Sequence, residues 1–387
     1  MPIELSEVCD PTVPPEGLGP RPRAVDLAIT GRCNLSCRYC FYADEMVALG
    51  DLPTERWLAL FDELGALAVQ RATVSGGEAL TRPDFFELID GLIANKMRYS
   101  LLTNGTLITE RTLAAFGVGK RRLRMDSIQV SIDGSCAEVH NKSRPPDSFD
   151  RALRGLRLLR EAGFPVTVRV TVNRHNVDDL DNIAQLLLED VGLSSFSTNE
   201  AEPMGEAKGG GCAGPNVVLT EAERQRAMAT LTRLGERYGD RIGAAAGPMA
   251  RARMFADIET RLARGETGLP GRGTLCSCGG VFTKLAILHD GTMVPCNMLP
   301  TLTMGVVGVN SVKEAWLHHP SINVVRRRRQ IRLRALDTCG DCAYTGFCTG
   351  GCPAGVMAKT GRLNAIDPDY CYQQYLESGE VGMEKRE

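Results

Sequence analysis

The chain has 387 residues, 43% of them hydrophobic and 24% charged, with a formal net charge of −2 at pH 7. These proportions are ordinary for a globular protein, and the length calls for two domains or for a barrel with an extension. A near-neutral charge gives no reason to expect nucleic acid or an anionic membrane as a partner. No apolar run approaches a bilayer span, and Met1 to Glu7 lack a signal-peptide pattern. The expectation is a cytoplasmic protein.

In a reducing compartment fourteen cysteines point to metal or redox roles rather than disulfides. Three lie in one short stretch near the N-terminus and eight between Cys276 and Cys371. Cys9 and Cys136 read as inert. Cys212 is either a spare loop cysteine or a reactive thiol.

From Ala24 onward β-rich runs alternate with helical patterns at intervals of roughly 25 to 40 residues, the rhythm of a parallel α/β barrel. Residues 24–30 read as a buried strand, followed through Gly31 by Cys33-Asn-Leu-Ser-Cys37-Arg-Tyr-Cys40. Pro53-Thr54 opens a helix with Trp57, Phe61, Leu64 and Leu67 at helical spacing. Residues 71–75 form the second strand and 83–95 a helix; 100–103 and 127–132 are the third and fourth strands. Ser148 is expected to cap a helix that Gly163 ends. Residues 166–172 are the fifth strand and 194–198 the sixth.

Six units predict a partial (β/α)6 TIM barrel with one open side, roomy enough for a large substrate. Residues 205–215, rich in glycine, read as a mobile loop or linker. A helix then runs from Thr220 to about Tyr238, after which regularity fades until Cys276. The expected division is an N-terminal segment 1–23, the barrel 24–240, a bridging region 241–270 and a C-terminal domain 271–387.

A cubane iron–sulfur cluster is normally held by four thiolates. Three in one loop, with no fourth in the next ninety-odd residues, leave one iron open; a structural zinc site, the alternative, wants four closed ligands. The Cys33/Cys37/Cys40 spacing resembles radical S-adenosylmethionine enzymes. The resemblance implies a [4Fe–4S] cluster whose free iron is chelated by S-adenosyl-L-methionine. One-electron cleavage then yields a 5′-deoxyadenosyl radical.

Each further motif falls at the C-terminal end of a predicted strand, where barrels meet their ligands. Ser75-Gly76-Gly77-Glu78 is by itself a turn-like tetrapeptide. Its glycines let backbone approach a ligand, and Glu78 offers an acceptor to an ammonium group. In the family this motif binds the cofactor's amino group, with proline where this chain has Ala79. Asn104-Gly105 is first of all a turn signal. Ser131 and Asp133 match positions that relatives place on the ribose, and Phe41 matches the aromatic residue beside the adenine. Arg169 stands between Val168 and Val170 on the fifth strand, and an arginine is costly to bury unpaired. The resemblance pairs it with the cofactor's carboxylate; an internal ion pair with a barrel glutamate is the other reading. Asn173 and Asn176 are equally readable as turn residues.

In the C-terminal region Cys278-X12-Gly291-X4-Cys296 and Cys339-X2-Cys342-X5-Cys348-X3-Cys352, then Cys371, resemble the seven-cysteine SPASM extension. That resemblance implies two auxiliary [4Fe–4S] clusters, three clusters in all. Cys278, Cys296 and Cys352 would hold the nearer; Cys339, Cys342, Cys348 and Cys371 the farther. Cys276 would be the fourth ligand of the nearer, or would exchange roles with Cys278, or that iron stays open. A zinc ribbon is the competing reading. Residues 285–288 with Gly291 resemble a hairpin presenting Cys296. Asn297 follows it where the sulfatase-maturing branch has an aspartate base, and an amide cannot take that proton, which speaks against formylglycine formation.

The basic run from Arg326 to Arg334 reads as a solvated face or as a dock for an acidic peptide or electron donor. His318-His319 read as surface residues.

The resemblance as a whole implies a radical enzyme that matures a ribosomally made precursor peptide, closest to the SynChlorMet-type cassettes. It would abstract hydrogen and then form a carbon–carbon or thioether bond or rearrange the backbone. Its partners would be the precursor peptide and a reductant such as flavodoxin or ferredoxin. Some twenty residues before the first strand are too few for a leader-binding domain, so leader recognition would use the barrel rim, the SPASM surface or a separate leader-binding protein. Two alternatives stand: a related enzyme acting on a small molecule such as a haem precursor, and a non-catalytic iron–sulfur electron carrier or scaffold.

Overall fold

The computed structural model describes residues 12–208 and 217–384. Cys9, Cys212 and most of the glycine-rich stretch lie outside the described residues. One nine-stranded sheet organises the rest, in the order β7-β6-β5-β4-β3-β2-β1-β8-β9. The strands are β1 (Ala24–Ala28), β2 (Arg71–Ser75), β3 (Arg98–Thr103), β4 (Met125–Ser131), β5 (Val166–Val172), β6 (Phe196–Glu200), β7 (Ile242–Ala244), β8 (Lys284–Ile287) and β9 (Met293–Val294). All pairings from β7 through β8 are parallel, and only the β8–β9 hairpin is antiparallel. The six expected strands are thus present and flanked by additions on both sides. On one side the C-terminal region inserts β8 beside β1, in register from Ala24 opposite Lys284 to Leu27 opposite Ile287.

On the other side lies a correction. Where the pattern fades, residues 242–244 form β7 and Pro248–Ala263 a helix. The strand is only three residues long and contains a glycine. The helix buries Met249, Ala252, Phe255 and Ile258, a three-residue spacing masked by the interleaved Arg251 and Arg253. Two smaller corrections concern boundaries. The sixth strand runs on through polar Asn199 and Glu200. Ser148 is the first helical residue rather than its cap, its hydroxyl donating to the Pro145 carbonyl at 2.6 Å.

Alternation along the strands sorts side chains into two faces. Val25, Leu27, Val74, Leu101, Ile128, Val130, Val168 and Val170 are fully buried against helices that contribute Trp57, Phe61, Leu88 and Leu156. The opposite, concave face is polar and only half-buried. Thr73, Ser100 and Ser127 stand in one cross-strand row, and Ser131, Arg169 and Ser197 in another. A partial barrel therefore closes its outside with oil and leaves its inside wettable.

Candidate functional site

The cysteine loop begins where β1 stops. Thr30 leaves the sheet because its hydroxyl and the Gly31 amide both donate to Asp51, each at 2.7 Å. The Ser75–Glu78 segment is laid against the loop: the Gly77 and Glu78 amides donate to the Thr30 and Arg32 carbonyls at 2.8 Å. A Cβ on Gly76, whose φ is +136°, would stand 2.4 Å from the Thr30 carbonyl oxygen, and one on Gly77 equally close to that of Arg32. These glycines are thus required by loop-on-loop packing, where the sequence pointed to ligand approach.

Glu78 is 1% exposed. Its carboxylate accepts from the Thr103 hydroxyl at 2.9 Å and from the Asn104 and Leu80 amides at 2.7 and 3.2 Å. Burial outweighs these donors and holds its pKa above the ordinary value. Three acceptor positions are used, and a carboxylate has about four. The Asn104 amide nitrogen donates to Asn34 of the cysteine loop at 2.9 Å, so Asn104 ties the β3 end to that loop.

Asp133 is likewise committed within the protein. One oxygen accepts from the Thr171 amide at 2.7 Å; the other accepts from Arg144 Nε at 2.5 Å and from the Tyr39 hydroxyl. Arg144, 8% exposed, also reaches Cys37 Sγ at 3.7 Å and lies over the Tyr39 ring. Sequence reasoning missed Arg144. It follows β4 in a Ser-Arg-Pro-Pro turn, and nothing in its spacing relates it to Cys37. Asn173 and Asn176 are fully buried turn residues, Asn176 donating to the Asp133 and Thr171 carbonyls.

Two more residues fix the loop from a distance. His289, on the β8–β9 hairpin, is wedged against Gly31, with Nδ1 at 2.7 Å from the Tyr42 hydroxyl and Nε2 at 3.2 Å from the Leu49 carbonyl. Beyond β6, the Glu206 amide donates to the Cys40 carbonyl at 3.1 Å. Phe41 remains 39% exposed.

Without a cation, this loop disfavours thiolates. Burial pushes the Cys33 thiol to about 11 and the Cys40 thiol to about 12, and raises Cys37. A bound metal supplies the charge that pays for deprotonation. Arg169 pairs with Ser131 and Ser197 across the strands. Among the described residues it has no acidic partner, and its Nε is buried without a hydrogen bond. Burial alone lowers its pKa, so the barrel-glutamate ion pair is absent and the cation is unanswered. Three thiols on one loop and a free guanidinium on the wall above suit an open-cornered cluster with an anionic ligand.

The C-terminal cysteines fall into two groups. Cys339, Cys342, Cys348 and Cys371 line one cavity with Tyr344 and Tyr370. Cys278 and Cys352 both bear on Cys296, whose thiol is pushed by burial, and then by these neighbours, to about 11. Cys278 has φ +61°, a conformation costly for any residue with a Cβ. Its amide donates to Cys276 Sγ at 3.1 Å. Asn297 Oδ1 is buried without a partner.

The basic run is a correction to both readings of it. Arg326 and Arg328 are fully buried and Arg327 nearly so. Arg326 stacks on Trp316 at 4.2 Å and donates to the Val281 and Trp316 carbonyls. Arg327 and Arg329 donate to the Val13 and Glu16 carbonyls, fastening the N-terminal segment. Only Arg329, Arg332 and Arg334 face solvent. His318 is exposed, as expected, while His319 caps the next helix through Ser321.

The Radical SAM superfamily matches residues 27–187, and the SPASM iron–sulfur cluster-binding domain matches residues 276–343. An AdoMet-dependent heme synthase of Methanosarcina barkeri is 28% identical, over 90% of this chain and 96% of its own length. Mycofactocin maturase MftC of Mycobacterium ulcerans is 27% identical, over 90% and 87%. Streptococcus suis SuiB bound to precursor peptide SuiA superposes with a TM-score of 0.68 at 15% identity, covering 92% of this chain and 76% of SuiB. The zinc readings of both cysteine groups give way to iron–sulfur chemistry. No helix among the described residues is long and apolar enough to cross a membrane.

Proposed function

The chain belongs to the radical S-adenosylmethionine superfamily and carries a SPASM iron–sulfur domain behind its barrel, and from that premise we propose a maturase of ribosomally made peptides. It uses S-adenosyl-L-methionine with a [4Fe–4S] cluster and auxiliary iron–sulfur clusters. When bound, such a cluster would supply the one-electron reduction of S-adenosylmethionine on which the superfamily's radical chemistry depends.

Cys33, Cys37 and Cys40 hold that cluster. Arg169 takes the cofactor's carboxylate, and Glu78 offers its fourth acceptor position to the ammonium. Ser131, in the same row as Arg169, faces the ribose, and Phe41 lies beside the adenine. Asp133 and Asn104 act indirectly, by fixing Arg144 and the cysteine loop. Cys278, Cys296 and Cys352, with Cys276 as fourth donor, hold the nearer auxiliary cluster. Cys339, Cys342, Cys348 and Cys371 hold the farther one.

The polar concave face carries the choice of substrate class. Thr73, Ser100, Ser127, Gln129 and Ser197, half-buried on that face, offer hydrogen bonds to amides and little apolar surface to a flat macrocycle. The relative from Methanosarcina is the reason to keep a haem precursor as the second reading. A reductant of the flavodoxin or ferredoxin type and a separate leader-binding protein complete the proposed system.

The test is anaerobic incubation of reconstituted enzyme, S-adenosylmethionine and dithionite with the peptide encoded beside its gene, with and without leader, and in parallel with a haem precursor. Loss of two hydrogens from the peptide supports the maturase; turnover of the haem precursor alone overturns it.

A further inference from the structure

Arg328 sits at the end of the helix Pro320–Arg327, fully buried. Its guanidinium donates to the Cys276 and Ala365 carbonyls, and Nε has no partner. Among the described residues no carboxylate pairs with it. Burying an ion without a counter-ion is costly even after relaxation, and an anion close by offsets that cost. The charges that bear on Arg328 are those of Cys276 and Cys352, neutral as thiols.

Its neighbours show that this is particular to the position. Arg326, equally buried two residues earlier, also lacks a carboxylate and has one unpartnered nitrogen, but the Trp316 ring and three oxygen acceptors surround it and no cysteine charge bears on it. Lys284, the other cation near these cysteines, is answered by Asp26 at 2.6 Å. The farther group differs again. The charges bearing on Cys339, Cys348 and Cys371 are other thiols of that group and Glu377.

We infer that Arg328 is the counter-charge of the nearer auxiliary cluster and holds its reduction potential above that of the farther one. The inference rests on the auxiliary-cluster assignment above. A thiolate-ligated cluster is a net anion that gains a further negative charge on reduction, and potential follows local charge and hydrogen bonding. A fixed, unanswered cation beside Cys276 and Cys352 therefore favours the reduced form. The farther cavity offers no such help and has a glutamate nearby. Arg328 is a positioning residue: it reaches the cluster only through the electrostatics and backbone of its ligands.

The test is an anaerobic redox titration of full-length protein, followed by electron paramagnetic resonance, in a C33A/C37A/C40A background that removes the overlapping first signal. A further C339A/C342A variant assigns the remaining signals. R328Q should disfavour reduction of the nearer cluster about tenfold, 59 mV for one electron, at unchanged iron content and with the farther signal unmoved. R328K should give a smaller shift, and R326Q none. Unchanged potentials in a fully loaded R328Q protein overturn the inference, as does an equal shift in R326Q. If R328Q loses iron, R328K at full loading decides; iron loss in both marks Arg328 as a folding residue and also overturns it. Absence of auxiliary signals from the parent protein would instead sink the cluster assignment itself.

Discussion

The two ends of the chain surround their cysteines with the same residue type and treat its charge in opposite ways. At the N-terminal loop Arg144 touches Cys37, yet Asp133 already holds it, so the pair adds almost no net charge. At the C-terminal group Arg328 lies beside Cys276 with no carboxylate. Identical thiols in similar numbers are thus given different electrostatic settings by arginines one layer out. On our inference, cysteine spacing sets where the clusters go, and the arginines around them set how readily each takes an electron.

The contrast can be broken most strongly at Asp133. Asp133→Asn leaves Arg144 buried and unanswered, turning the first site into a copy of the second. Removing one partner of a buried pair costs about 3–5 kcal/mol, which chemical denaturation of the apoprotein should show. A loss below about 1 kcal/mol would mean that the pair does not hold the loop.

Arg169 is the barrel's own unanswered cation. Arg169→Gln should weaken S-adenosylmethionine binding by about 1.5–3 kcal/mol, the worth of a hydrogen bond to a charged group, as read by calorimetry on reconstituted protein. Iron content should not change. Equal affinity would return Arg169 to a structural role.

His140 belongs to the Asp133 hub, accepting the Asp133 amide on Nδ1 at 3.1 Å, which requires an unprotonated nitrogen. Burial depresses its pKa from 6.5 to about 4. The unfolded imidazole takes a proton below 6.5 and the folded one only near 4. Stability is therefore full above 6.5 and falls by about 1.4 kcal/mol per pH unit between those values. Urea midpoints at pH 7 and pH 5 should separate more for the native protein than for His140→Gln; equal separations contradict the assignment. The smallest effect is expected at the exposed members of the basic run. Arg332→Gln and Arg334→Gln should each change stability by no more than about 0.5 kcal/mol.

What the sequence makes legible follows the range of the interactions. The three-cysteine loop, the strand alternation and the placement of Arg169 on a strand are local, and each can be read from spacing. The C-terminal strand β8 is readable as a strand, but its place beside β1 is not, because parallel pairing leaves no local trace. Arg144, Asp51 and His289 reach the cysteine loop from other parts of the chain, so no motif contains them. The basic run misleads for a different reason: charge pattern alone reports on neither burial nor acceptor, and backbone carbonyls replace the carboxylates or water expected around Arg326 to Arg328.

The most direct measurement concerns the first loop. Anaerobically reconstituted protein given dithionite and S-adenosylmethionine should form methionine and 5′-deoxyadenosine, and the C33A/C37A/C40A protein should form neither while losing roughly four of about twelve irons. Continued formation of 5′-deoxyadenosine without those three thiols would contradict the account.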